Sequence, residues 1–561
     1  MRVPASEHFA AVLAFIAISG AASAQTREIT GTPQVRSYSP KEYSGNAQVW
    51  TILRDRRGLL YIGTEGAIHQ YDGAFWRDIP TPTVTRSLAL DDQGRIWVGA
   101  GADFGFLEPD SGGAFKYVSL LDKVPVEHRG FTDVWQILIT PKGNFFRSYE
   151  RLFRWDGKHM QIWASPKRFQ ALSEIRGRIY TAQTGIGLEE IVGDELRPAP
   201  GGEALSHAIK LSLHPWDEQH ILISSRAGSL ALYDGQKVSP FHTEADDYLK
   251  ANEAYIFIPL TDGGFCITTL RGGAVIIEHD GRLRRILDKE SGLTYPGVLS
   301  AYQDRDGALW LGLGRGVARV AMDSPLSILS DVSASDTVVW NGTPYVASGN
   351  GGTGLLRLEP DNRTGLVRPE PLRGAGTQGF TLLVFHDPSP GAPDQLLAAG
   401  TNGVVRIQGD TVSPALPGRT GVAENAFDIL QSRKHPNRVY IGQRDCVSSM
   451  RWEKGKWIDE GRVDNAPYST SRLAEDADGT LWVGTRAKST VLRFEDPAAG
   501  LRSARMEVLS DKDGVPAAGT SVYWAAGQIF AASSALPDIL RWDAAKRKFV
   551  RDDRFRLPLV P

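Results

Sequence analysis

One short phrase recurs along this chain and limits its fold more than any other feature. Residues 299–317 hold a short apolar strand, an acidic turn ending in Gly307, a second strand carrying Trp310, and a glycine-rich corner before Val317. Asp304, Gly307, Trp310 and Gly312 return as Asp55, Gly58, Tyr61 and Gly63, as Asp91, Gly94, Trp97 and Gly99, and as Asp476, Gly479, Trp482 and Gly484. An Asp that accepts local backbone N–H groups, followed by a Gly free to take positive φ, suits a tight turn between antiparallel strands. Alternation with period two then puts the large aromatic on one face of a strand. Such a unit cannot bury its own apolar face, so it must stack on copies of itself.

The copies are spaced at about 42 residues, the length of a four-stranded β-propeller blade. A second turn, Asp72-Gly73, separates the third and fourth strands of the first module and recurs as Asp156-Gly157 and Asp234-Gly235. Counting divergent copies, the spacing predicts twelve modules, seven up to about Ser330 and five beyond it. The expectation is therefore an all-β protein of tandem β-propellers with four-stranded blades. The first ring, 47–330, is seven-bladed. The second, 331–561, is of the seven-bladed type but shows about five blades and is divergent or truncated. Residues 25–46 read as a lead-in. Helix signals are nearly absent: 247–253 and 542–549 amount to a turn or two.

The first 24 residues resemble a secretory signal, with Arg2, an apolar stretch from Phe9 to Ile18 and small residues at Ala22-Ser23-Ala24. The expected location is periplasmic. Lys and Arg total 63 against 65 Asp and Glu, a net charge of −2, so nothing points to nucleic acid or an anionic membrane. Cys266 and Cys446 fall in different halves of the chain and read as two buried thiols rather than a disulfide.

The eleven histidines stand singly, without ligand spacing, and no G-x-S-x-G elbow occurs. No cofactor, metal or catalytic residue is expected. Asp55, Asp91, Asp304 and Asp476 could in principle serve hydrolysis, but a residue repeated in every blade is structural by position. Tyr61, Trp97, Trp310 and Trp482 recur in register and are expected to pack between blades. Trp50, Trp135, Tyr255 and Tyr302 instead lie near the start of the first, innermost strand, where a sugar ring could stack. The corner between second and third strands shares that rim. In the first ring it carries Arg151, Arg226, Arg271 and Arg315, against Glu65 and Asp103 in modules one and two; the second ring adds Arg444, Arg486 and Lys488. Guanidinium groups converging on one mouth suit an acidic small-molecule ligand such as a uronate-containing oligosaccharide.

The unit D-x-x-G-x-[LI]-[WY]-[ILV]-G, with a later Y-D-G, resembles the two-component regulator propeller repeat. That resemblance implies the periplasmic ligand-binding sensor region of bacterial hybrid histidine kinases or diguanylate cyclases. It also implies a membrane-bound output domain, in cis or in trans, and action as a homodimer. The chain itself carries no kinase segment and no nucleotide loop. Two other readings remain open from the sequence: a secreted polysaccharide-degrading glycoside hydrolase or lyase, and a protein-interaction scaffold.

Overall fold

The computed structural model describes residues 31–556 apart from 166, 323, 325–326, 329–331, 350–353, 361–366, 420–423, 464–468, 487–488, 496, 517–518 and 534–535. The expected signal segment lies outside the described residues. The repeated turn forms as its chemistry dictates. Asp304 Oδ1 accepts from the backbone N–H groups of Asp306 and Ala308, both at 3.0 Å, and Oδ2 accepts the Trp310 indole N–H at 2.9 Å. Asp91 binds Gln93, Arg95 and Trp97 in the same way, and Asp476 binds Asp478, Thr480 and Trp482. In the first module the Tyr61 hydroxyl replaces the indole, donating to Asp55 at 3.2 Å. One carboxylate thus fixes both the turn and the rotamer of the aromatic six residues on.

The aromatic then packs on the next unit. Trp97 meets Phe146 and Phe153, Trp310 meets Ile52 and Leu60, and Trp482 meets Val522 and Ile529. The closing glycine has a matching role. A Cβ on Gly99, Gly312 or Gly484 would lie 2.7, 2.6 and 2.3 Å from the backbone oxygens of Val134, Val49 and Thr520, each in the adjoining module. Only glycine admits so close a neighbour.

The described residues form twelve four-stranded antiparallel sheets and one two-stranded pair, Thr32–Pro33 with Ser327–Ile328. Taken as blades 1–12 in chain order, they span 51–80, 85–119, 136–164, 169–198, 212–241, 254–287 and 298–320, then 336–371, 379–414, 426–463, 470–509 and 520–556. The inner strands of blades 1–7 touch in series, and that of blade 7 touches blade 1. Blades 8–12 also touch in series, with no comparable return contact from 12 to 8 among the described residues. Apolar clusters sit between neighbours, as between blades 4 and 5 and between 6 and 7, rather than in one central core.

Blade 7 takes only three strands from its own stretch of chain. Its outer strand is Val35–Tyr38, paired antiparallel with Gly316–Val320. The stretch read as a lead-in is therefore partly a structural strand that closes the ring. The sequence hides it because four residues carry no turn motif. Tyr38 stacks on Trp310 at 5.9 Å and meets Tyr71 edge-on at 5.5 Å, joining blade 7 to blade 1. Cys266 and Cys446 are both free and buried, and burial pushes both thiols up.

Candidate functional site at the mouth of the first ring

The innermost strands of blades 2, 4, 6 and 7 each carry a break in register near their start: at Thr85/Ser87, Phe169/Ala171, Ala254/Phe257 and Val298/Ser300. A β-bulge re-aims the extra side chain out of the alternating pattern. Here Arg86, Gln170, Tyr255 and Leu299 all line one cavity of about 80 Å³. Trp50 and Trp135, just ahead of the first paired residues of blades 1 and 3, line it too. Their N–H groups donate to Gly63 and Arg147 oxygens at 2.9 Å, which ties the strand starts to the second strands.

The three aromatics singled out in the sequence, Trp50, Trp135 and Tyr255, thus come together. Trp50 and Trp135 meet edge-on at 6.1 Å, and the Arg86 guanidinium lies 4.0 Å and 4.7 Å from their ring centres. Arg86 also donates to Asp133 at 3.1 Å. Such cation–π contacts strengthen as water is excluded. Lys210, between blades 4 and 5, has positive φ and puts Nζ 2.8 Å above the Tyr255 ring. Arg147, almost fully buried, donates to the Gln136 side chain at 2.7 Å and the Phe169 carbonyl at 2.9 Å.

The electrostatics are lopsided. Burial, then the charges of Arg147, Arg226 and Arg86, pulls the Lys210 amine down to about 6. Burial lowers Arg147 to about 10, so it stays charged at neutral pH. Burial raises the Tyr255 phenol to about 12. Arg86 Nη1 and Trp135 Nε1 are buried donors without a partner, an uncommon and costly arrangement.

The corner arginines line no part of this cavity, although Arg226 is near enough for its charge to act on Lys210 and Tyr255. Arg271 pairs with Glu253 at 2.6 Å and Arg226 approaches the same carboxylate at 4.0 Å. Arg151 donates to its neighbour's carbonyl, Glu150, at 3.0 Å, and Arg315 is exposed at its corner. In the second ring Arg486 lies 4.3 Å over Phe427, and Lys488 is outside the described residues. The rim polarity read from blades 1 and 2 needs correction. Glu65 is exposed, but Asp103 is buried and accepts from Ser119 Oγ and the Phe104 N–H, because it opens a strand on the inward phase of the alternation. Tyr302 also departs from expectation: it pairs opposite Trp310 near the far end of its strand and packs on the blade 7–1 cluster.

Sequence reasoning missed Arg86, Arg147 and Lys210. For Arg86 a signal existed. Trp50, Arg86, Trp135, Tyr255 and Leu299 all lie eight positions before the turn glycines Gly58, Gly94, Gly143, Gly263 and Gly307. Arg147 and Lys210 follow no such offset; the ring curvature alone brings them in.

A family model described as "Two component regulator propeller" matches residues 465–487. The chain carries this repeat. No curated protein matches the sequence. Among solved structures, the extracellular domain of the hybrid two-component system BT3049 from B. thetaiotaomicron is similar over 94% of this chain and 74% of that one, with TM-score 0.68 and 15% identity. The extracellular domain of the one-component system BT4673 from the same organism aligns over 93% and 73%, with TM-score 0.41 and 14% identity, too low to carry an argument. The first likeness supports the fold: an all-β chain of propeller blades. Among the described residues no helix is long and apolar enough to cross a membrane.

Proposed function

We propose that this chain is the exported, periplasmic ligand-sensing module of a two-component type signalling system, binding a small acidic oligosaccharide at the mouth of its first ring. The proposed units are a first propeller over 47–330, closed by the strand Val35–Tyr38, and a second over 331–561, with output in a membrane-bound partner domain, in cis or in trans, and a homodimeric assembly. The observation that carries the reading is the convergence of Trp50, Trp135 and Tyr255 with Arg86 and Lys210 around one cavity. Aromatic faces suit sugar rings, and cations suit acidic substituents. The fold it shares with the extracellular domain of a hybrid two-component system supports the same reading. The hydrolase alternative finds less support, because the four repeated carboxylates are engaged in their own turns.

A thermal-shift screen of the full chain against neutral and acidic oligosaccharides tests this. The expected result is stabilisation by at least one of them, lost in Trp135→Ala. Turnover of a glycan, abolished by a single Asp→Ala change, would overturn the sensor reading in favour of an enzyme.

A further inference from the structure

The cavity at the first ring's mouth is too small to enclose a sugar, and its lining holds three basic side chains and no carboxylate. Its volume of about 80 Å³ compares with the roughly 30 Å³ that one water occupies in the liquid and the several hundred Å³ of a site enclosing a whole small molecule. We infer that it is a seat for a single carboxylate group, held between the Lys210 ammonium, the free Nη1 of Arg86 and the Trp135 indole N–H, while the ring bearing that carboxylate stays outside against Trp50 and Tyr255. The inference rests on the sensor reading and narrows its ligand to a uronate or another acid-terminated sugar.

Three independent features support it. Arg86 Nη1 and Trp135 Nε1 are buried donors lacking acceptors, and both residues line this cavity. A carboxylate has lone pairs to accept from both donors and from an ammonium at once. Second, the charge around the cavity is only partly compensated. Arg86 has Asp133 and Arg226 has Glu253, but Arg147 is held only by neutral oxygens, and Lys210 has no carboxylate within ion-pair distance among the described residues. Third, the cations sit on aromatic walls that exclude water, which strengthens their pull on an anion.

Lys210 also gives the seat a proton linkage. The groups facing it are Arg86, Arg147, Arg226, Tyr255 and, beyond them, Tyr149, Asp133 and Glu253. With its amine lowered to about 6, Lys210 is mostly neutral at pH 7, and an arriving carboxylate draws a proton onto it. Affinity then falls as pH rises above 6, by about tenfold per unit while that uptake persists.

The test is calorimetric titration of the full chain with glucuronate, glucose and a neutral oligosaccharide, at pH 5.5 and pH 8. Wild type, Lys210→Met, Trp135→Phe and the exposed-corner control Arg315→Ala are compared, each confirmed folded by circular dichroism. Glucuronate is expected to bind and glucose not. Binding should be at least tenfold tighter at pH 5.5, at least tenfold weaker in Lys210→Met, weaker in Trp135→Phe, and unchanged in Arg315→Ala. No glucuronate binding, or glucuronate binding that survives Lys210→Met and is flat with pH, overturns the seat. Neutral oligosaccharide binding that Lys210→Met leaves intact, with no preference for glucuronate, also overturns the seat while leaving the sensor reading standing. Lys210-dependent glucuronate binding without any oligosaccharide binding upholds the seat and removes the oligosaccharide from the sensor reading.

Discussion

In the first ring the bulged position of the inner strand carries Arg86, Gln170, Tyr255 and Leu299; in the second the same bulge, at Gly379/Thr381, Ala426/Asp428 and Thr470/Arg472, carries Phe380, Phe427 and Ser471. The backbone device is shared, and the chemistry mounted on it is not. Phe380 and Phe427 lie 5.1 Å apart, with Arg486 over the latter. Beside them lies the buried Asp428, which burial raises to about 6 and which accepts from the Leu473 N–H and Thr381 Oγ. The first ring gathers Arg86, Arg147 and Lys210 around its aromatics; the second sets Arg486 over Phe427 beside a buried carboxylate. The bulge belongs to the blade, and the side chain it re-aims differs from blade to blade and from ring to ring. Closure differs as well, since a strand from the beginning of the described chain completes the first ring.

The largest expected effect tests closure. Deleting residues 31–38 should unfold the first ring, and Tyr38→Ala, which removes a ring packed between blades 7 and 1, should cost about 3 kcal/mol. Differential scanning calorimetry should show one transition falling while that of the second ring holds. Two transitions moving together would mean the rings are one cooperative unit.

Next come the turn carboxylates, the feature the rings share. Asp304→Ala and Asp476→Ala each strand two backbone N–H groups and an indole N–H, for a loss of about 2–3 kcal/mol. Asp304, only 3% exposed, should cost the more of the two. Urea unfolding measures both, and a loss under about 0.5 kcal/mol in either would show that the repeated Asp is not structural.

A smaller effect separates the rings by pH. The Lys210 amine sits below its unfolded value, so it is neutral in the fold but charged in the unfolded chain between about 6 and the ordinary lysine range. The native state binds fewer protons there, and its stability rises with pH across that window. Lys210→Met should therefore raise the first ring's melting temperature by about 2 °C or more below pH 6, with the gain shrinking toward pH 10. An equal shift at all pH values would contradict the burial of that charge.

Smallest is the rim. Arg271→Ala breaks an exposed pair with Glu253 and should change stability by no more than about 0.5 kcal/mol, measured by urea unfolding. A larger loss would make that corner a structural element rather than a solvated one.

The blade was legible because its turn is local: Asp304, Gly307 and Trp310 satisfy one another within seven residues, so spacing alone finds them. Trp50, Trp135 and Tyr255 were legible as strand starts for the same reason. The closing strand Val35–Tyr38 was not, because its partner lies about 280 residues on and no local motif announces it. Lys210 and Arg147 were hidden likewise, since only the ring's curvature makes neighbours of blades 2, 3, 4 and 6. The corner arginines line no part of the first ring's cavity, and Glu253 lies against two of the four.

Under the proposed function, recognition belongs to the first ring and not the second. Calorimetric titration with whichever oligosaccharide stabilises the full chain, on Trp50→Ala/Trp135→Ala and on Phe380→Ala/Phe427→Ala, decides it most directly. The first pair is expected to lower affinity at least a hundredfold and the second to leave it within about twofold. Loss of binding in the second pair, with the first unaffected, would contradict it.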